Sequence, residues 1–262
     1  MRIKHLISSL FGHLVFRSGL HVLSLRDIIP VLAFHRISEP SPTEGMNYGL
    51  KDFNDLCTFL SCNFQVKPLS HILKKMLNGG TFQQELAITF DDGYRDNYEL
   101  AAPVLKALNL PATFFLTTQY IGTDIVSWWD EKAGVRHKWM SWDQVRALHR
   151  QGFEIGSHTK THYNLGNVHE EQALKELVES RVDLEAQLSA PVTLFAYPYG
   201  GPDNINERNR ELVKAAGYSC CCSCFGGLNT GGTDPFHIRR IPISHWYQSP
   251  QDFGFRAVIR RV

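Results

Sequence analysis

The stretch Leu86-Ala87-Ile88-Thr89-Phe90-Asp91-Asp92-Gly93 reads as a short buried strand that stops on two carboxylates and a glycine. Working outward, similar short apolar runs recur at Val31–His35, Ala112–Thr117, Phe153–Gly156, Val192–Ala196, Tyr218–Cys224 and His237–Ile243. Amphipathic helical patterns fall between them. Leu69, Ile72, Leu73, Met76 and Leu77 keep the i, i+3, i+4, i+7, i+8 spacing, and Leu174, Leu177, Val178 and Leu188 roughly follow it. Asp52 is expected to open a helix before Phe53, and Ser141 to open Trp142–Arg150, which stops at Gly152. Strands alternating with helices predict parallel βαβ units, hence an α/β layer or barrel.

The composition agrees with one enzyme-sized catalytic unit. The 262 residues are 43% hydrophobic and 20% charged, which excludes a disordered or fibrous chain. A net charge of +1 gives no field that would draw the chain to nucleic acid. No apolar run reaches the roughly 18 residues of a membrane span. We expect residues 28–262 to form the catalytic domain and residues 1–27 to form a basic, amphipathic helical extension. Leu6, Ile7, Leu10, Phe11 and Leu14 share one helical stripe there, with Arg2, Lys4, Ser8, Ser9, Gly12 and Arg17 elsewhere. His13 and Arg17 interrupt the apolar stretch and no A-x-A-like site follows, so the segment is a poor signal peptide. A helix lying on an anionic membrane surface and a helix packed on the domain both fit it. The cellular compartment stays open.

In α/β folds chemistry gathers at the carboxyl ends of the strands. Asp91 and Asp92 end one run, and alternation along extended backbone points them in different directions. One can bind a metal while the other faces a water, although an acidic turn capping the next helix is the plainer alternative. Another run ends Gly156-Ser157-His158-Thr159-Lys160-Thr161-His162. Histidines at i and i+4 lie on one face of a helical turn and can reach a single cation. Two imidazoles and a carboxylate make the three-ligand, open-position set of catalytic metal sites. A third run ends Phe195-Ala196-Tyr197-Pro198-Tyr199-Gly200-Gly201, where Pro198 stiffens and Gly200 loosens a turn that can present the Tyr199 amide. Such a donor aimed at a developing oxyanion is worth about a hundred- to a thousand-fold in rate.

From about Val31 to Ile243 the chain resembles the polysaccharide deacetylase family with the NodB homology domain, carbohydrate esterase family 4, and most of all its poly-N-acetylglucosamine deacetylase type. Thr89 through Gly93 look like the family's first motif, Ser157-His158 through His162 like its second, and Tyr197-Pro198-Tyr199-Gly200 like its third. The resemblance implies a single distorted (β/α)7 barrel, consistent with the seven candidate strands. It implies that Asp92, His158 and His162 hold a divalent metal, usually Zn2+, and that Asp91 is the general base toward the attacking water. The backbone N–H of Tyr199 would share the oxyanion with the metal. The implied reaction removes N-acetyl groups from amino sugars of a polysaccharide or glycolipid, with an N-acetylated glycan as partner.

Two features depart from the family pattern. The commoner third motif has an arginine that orients the base, and Ala196 stands at that position. Arg239 and Arg240 lie on a later run, where alternation lets only one point inward, and we favour Arg240. The family's last motif, an apolar strand ending in the histidine that acts as general acid, has no good copy at the carboxyl end, although His245 follows Ile243-Ser244. Val31-Leu32-Ala33-Phe34-His35 has that form at the amino end. The poly-N-acetylglucosamine deacetylases are similar in placing this strand first, as a circular permutation, so His35 is preferred over His245. A histidine suits proton donation near neutrality.

Trp128, Trp129, Trp139 and Trp142 cluster between two candidate strands, and of the adjacent Trp128 and Trp129 at most one is expected to face substrate. Among the six cysteines, Cys221 and Cys224 satisfy C-x-x-C, but no nearby pair completes a zinc set, and a buried strand of small hydrophobes is preferred. Rival functions are a deformylase or O-acetyl esterase on a lipid-linked sugar, and an inactive glycan-binding relative. The oligomeric state is not readable from the sequence.

Overall fold

The computed structural model describes residues 2–40, 45–224, 226–247 and 249–259. The chain opens with helices α1 (Arg2–Arg17) and α2 (Leu20–Ser24), then strands β1 (Val31–Phe34), β2 (Arg36–Ser38) and β3 (Asn47–Gly49). Helix α3 (Leu50–Asn63), β4 (Gln65–Val66), α4 (Leu69–Leu77) and β5 (Glu85–Phe90) follow. Next come α5 (Ala102–Ala107), β6 (Thr113–Leu116), α6 (Trp128–Lys132), α7 (Trp142–Arg150) and β7 (Glu154–Ser157). The last part holds α8 (Glu170–Leu188), α9 (Glu207–Ala215), β8 (Ile241–Pro242) and α10 (Pro250–Phe253), the last continued by a wider helical turn over Gly254–Ile259.

A parallel sheet runs in the order β7-β6-β5-β1-β8, with β4 also paired to β5. All residues of β1, β5 and β6 are buried, because helices cover one side and packed side chains the other. Alternation divides them cleanly. Phe34, Phe90 and Phe114 stack toward one core cluster at centroid distances of 5.3 and 4.9 Å. Val31, Ala87 and Phe115 face another.

Register sets what emerges at the sheet's end. Phe34 stands opposite Phe90, and the Asp91 N–H donates to the Phe34 carbonyl at 2.9 Å. His35 and Asp91 therefore leave the sheet side by side. Likewise Leu116 pairs with Ser157, and the His158 N–H donates to the Leu116 carbonyl at 2.9 Å.

The runs at 192–196 and 218–224 do not form full strands; single parallel bridges link Ser157 to Phe195, Ala196 to Cys222 and Cys222 to Ile238. Pro198 cannot donate, and Tyr199 and Gly200 take positive φ, so extended pairing ends there. The strand expected at 237–243 shortens to Ile241–Pro242. Asp52 does not open its helix: α3 starts at Leu50 directly after β3, with Asp52 in its first turn, where the helix dipole still favours a carboxylate. At Ser141, by contrast, a complete capping box forms with Gln144 ahead of Trp142–Arg150. Among the described residues no helix is long and apolar enough to cross a membrane.

Candidate active site

Asp91 and Asp92 follow β5, and their side chains meet opposite environments. The Asp91 carboxylate receives Arg240 at both oxygens, Nη1 to Oδ1 and Nη2 to Oδ2, each at 2.7 Å. Arg240 is fully buried and also donates to the Thr89 hydroxyl (3.0 Å) and the Ser223 carbonyl (2.7 Å). Its neighbour Arg239 is exposed, as strand alternation requires. Burial alone would raise the Asp91 pKa, but the guanidinium outweighs it and holds the carboxyl below its ordinary range, ionised at neutral pH.

Asp92 takes a left-handed φ of 74° and turns toward two histidines. Its Oδ1 lies 3.4 Å from His158 Nε2 and 3.3 Å from His162 Nε2. The His158 Nδ1 sits 2.8 Å from the Ala196 carbonyl. A carbonyl can only accept, so Nδ1 carries the proton and Nε2 presents its lone pair. Burial pushes the His158 pKa down to about 4, which keeps the ring neutral.

The His158–His162 pair is not on a helical turn, contrary to the spacing argument. Thr159 and His162 have φ of 65° and 62°, and the segment is a loop. Glu176 from α8 holds it by accepting the N–H groups of Lys160 (3.1 Å) and Thr161 (2.8 Å) and the Thr161 hydroxyl (2.8 Å). Positive φ at non-glycine residues costs on the order of 1–3 kcal/mol each, and here it recurs at Asp92, Thr159, His162 and Tyr199. The surroundings over-determine a strained loop that brings both rings to one point.

That point fits a cation. Asp92, His158 and His162 each offer a donor atom, all within 4.8 Å of one another. The Asp92 Oδ1 is buried with no hydrogen-bond partner, an uncompensated acceptor that a metal would satisfy. Two imidazole nitrogens and one carboxylate oxygen form an open three-donor set.

A cavity of about 1020 Å³ opens over these groups, lined among others by His35, Asp91, Asp92, His158, His162 and Tyr199. His35 Nε2 stands 4.0 Å from Asp91 Oδ2. Asn97 steadies the His35 backbone, donating to its carbonyl at 2.8 Å. His245 is not among the lining residues; its Nδ1 lies 3.1 Å from the Gly45 carbonyl. Tyr199, at φ 65°, sits with its ring 5.0 Å from that of His162. A side chain at Gly200 would meet the Cys224 backbone nitrogen at 2.5 Å, so glycine is required there.

Trp128 and Trp129 both line the cavity; Trp128 is exposed there, whereas Trp129 donates its Nε1–H to the Tyr94 hydroxyl at 2.7 Å. They begin the short α6 with rings 88° apart, so the helical turn, unlike a strand, brings neighbours to one side. Trp139 is instead buried between Tyr94 and Tyr120, and Trp142 begins α7. The six cysteines are free. Cys221 donates to the Phe236 carbonyl at 2.8 Å, whereas Cys224 lines the cavity with its thiol pKa pushed by burial up to about 12. Sequence reasoning missed Tyr94, Asp130, His137 and Glu176. They lie on loops or helices with no motif, and only folding gathers them.

The sheet and this polar cluster at its carboxyl end define an α/β protein with a hydrolase-like site. The fold resembles two solved structures, IcaB from Ammonifex degensii (TM-score 0.75, 21% identity, 89% of this chain and 96% of that one) and the Streptococcus pyogenes deacetylase PplD (TM-score 0.74, 19% identity, 88% and 98%). Residues 78–221 match the polysaccharide deacetylase family, and the chain belongs to that enzyme family. Among relatives by sequence, Bacillus subtilis YxkH is 26% identical over 218 residues, 82% of this chain and 71% of its own length. The poly-beta-1,6-N-acetyl-D-glucosamine N-deacetylase of Staphylococcus aureus (strain MRSA252) is 27% identical over 183 residues, 66% of this chain. The aligned part spans 57% of that enzyme's length. His35 and Arg240 lie outside the matched segment.

Proposed function

We propose that this chain is a divalent-metal-dependent N-deacetylase of N-acetylated amino-sugar polymers. The observation that carries it is the opposition of two differently equipped carboxylates across one cavity, Asp91 clamped by Arg240 and Asp92 joined to His158 and His162. The polymer is proposed from the Staphylococcus aureus relative, which is named for poly-beta-1,6-N-acetyl-D-glucosamine. In keeping with this, we take the parallel pairings from β1 through β5, β6 and β7, the bridges at Phe195, Cys222 and Ile238, and back through β8 as a distorted, permuted (β/α)7 barrel.

Asp92, His158 and His162 would hold the cation, with zinc suited to their nitrogen and oxygen donors. When bound, the cation supplies Lewis acidity that makes water a better nucleophile and polarises the amide carbonyl. Asp91, kept ionised by Arg240, takes a proton as the water oxygen bonds to the carbonyl carbon. Arg240 fixes the carboxylate's orientation through two parallel hydrogen bonds. The Tyr199 N–H donates to the oxyanion. His35 delivers a proton to the nitrogen as the carbon–nitrogen bond breaks, releasing acetate and a free amine. Trp128, half exposed at the cavity, offers an aromatic face for a sugar ring.

The test is amine release from N-acetylglucosamine oligomers by metal-loaded and chelator-stripped protein, with N-formyl and O-acetyl sugars in parallel. Release from the N-acetyl oligomers that vanishes on stripping and returns with metal is expected. Turnover of only the formyl or ester substrates would replace the acyl group in this proposal. Absence of bound metal after loading would overturn its mechanism.

A further inference from the structure

We infer that α1 is a docking surface for an anionic lipid bilayer. The helix is packed the wrong way round for an ordinary surface helix. It seats Ser8, Gly12 and Phe16, one residue per turn, against α10 and the turn that follows. A Cβ at Gly12 would meet the Gln251 carbonyl oxygen at 2.2 Å, so only glycine permits this approach. A polar lock holds the same side: His5 Nδ1 lies 2.9 Å from the buried Asp252, Arg256 reaches that carboxylate at 3.2 Å, and Ser9 meets Ser249 at 3.1 Å.

The opposite face carries the apolar stripe. Ile7, Leu10 and Leu14 are 49–62% exposed, Phe11 at the edge of this face is half exposed while stacking on Phe255 at 5.7 Å, and the next helix, α2, adds exposed Leu20, Val22 and Leu23. A globular helix turns such a stripe inward, and single exposed leucines are common, whereas an apolar face of this extent marks an interaction surface.

Charge selects the occupant. Residues 1–26 contain Arg2, Lys4, Arg17 and Arg26 and no acidic residue. The side chains of Arg2, Lys4 and Leu6 lie outside those described, while Arg17 and Arg26 are exposed. A second copy meeting this face about a two-fold axis would bring like charges together, whereas anionic headgroups complement them at about 1 kcal/mol per basic residue near the surface. Because its other side is packed on α10 and the turn that follows, α1 would lie in the interface plane rather than across the bilayer. None of this depends on the catalytic proposal.

The experiment is co-sedimentation of the full chain with phosphatidylcholine vesicles, with and without phosphatidylglycerol, alongside sedimentation velocity without lipid. Binding is expected to the phosphatidylglycerol vesicles and to weaken as salt rises. Leu10→Ser with Leu14→Ser should lower the bound-to-free ratio at least about tenfold without shifting the unfolding midpoint, since both side chains are exposed. Arg17→Gln should lower it about fivefold on the anionic vesicles alone. Failure to bind either vesicle would overturn the inference, as would binding that ignores the leucine changes. A dimer in sedimentation velocity that those leucine changes dissociate, with no lipid binding, would reassign the face to contact between copies.

Discussion

The two sides of the cavity begin at neighbouring residues and are finished in opposite ways. On the Asp91 side the protein supplies the partners: Arg240 pairs both carboxylate oxygens, and Thr89 and Ser223 take two further guanidinium donors. On the Asp92 side the protein leaves Oδ1 and His162 Nδ1 buried without hydrogen bonds, and bends the backbone to do so. A closed electrostatic unit holds charge and orientation; an open one awaits an ion. Adjacent positions can be given these separate tasks because extended backbone alternates its side chains and Asp92 then leaves the strand with positive φ.

The largest expected effect comes from the open side. Asp92→Asn should strip metal from dialysed protein, measured by elemental analysis, and cut amine release beyond about a thousandfold. Full metal retention would show that the open side is not the metal site. On the closed side, Asp91→Asn should keep the metal and lose about a hundred- to a thousand-fold in kcat, followed by oligomer deacetylation. If both variants lose metal equally, the contrast between the two carboxylates collapses.

Arg240→Met asks what the clamp does for stability. Removing one partner of a buried pair leaves an uncompensated charge, and about 3–5 kcal/mol should disappear in urea unfolding. Adding Asp91→Asn should restore part of it. The folded-state pKa of Asp91 lies below its ordinary 3.8, so this stabilisation is present above about pH 4 and fades as pH falls through the lowered value. The Asp91→Asn protein should accordingly lose less stability between pH 5 and acid than the parent does, a difference that thermal unfolding across pH would read.

The smallest effect is expected at the thiols. Cys221→Ala with Cys224→Ala should leave turnover within about threefold, because Cys221 donates to the Phe236 carbonyl and burial keeps both thiols protonated. A change in metal content would bring Cys224, which lies close to His35 and Asp91, into the ligand set.

Local signals were legible where a neighbouring residue completes them. Ser141 and Gln144 cap α7 on their own, and the alternation that sends Arg240 inward and Arg239 outward needs only an extended chain. Legibility failed where distant elements intervene. His158 and His162 converge through a strained loop held by Glu176, eighteen residues past His158 by numbering, rather than through helical spacing. The single bridges at Phe195 and Cys222 hid behind apolar runs that look like full strands.

By itself the sequence determined the chemical inventory: two adjacent carboxylates, two histidines, a candidate arginine and a strand-first histidine, together with the apolar runs that bury a parallel sheet. Tertiary structure decided which of them meet. Register set His35 beside Asp91, closure through β8 delivered Arg240 from the far end of the chain, and packing of α1 on α10 turned its apolar stripe outward. Pairings across more than a hundred residues depend on how whole elements share a core, and no local pattern encodes that.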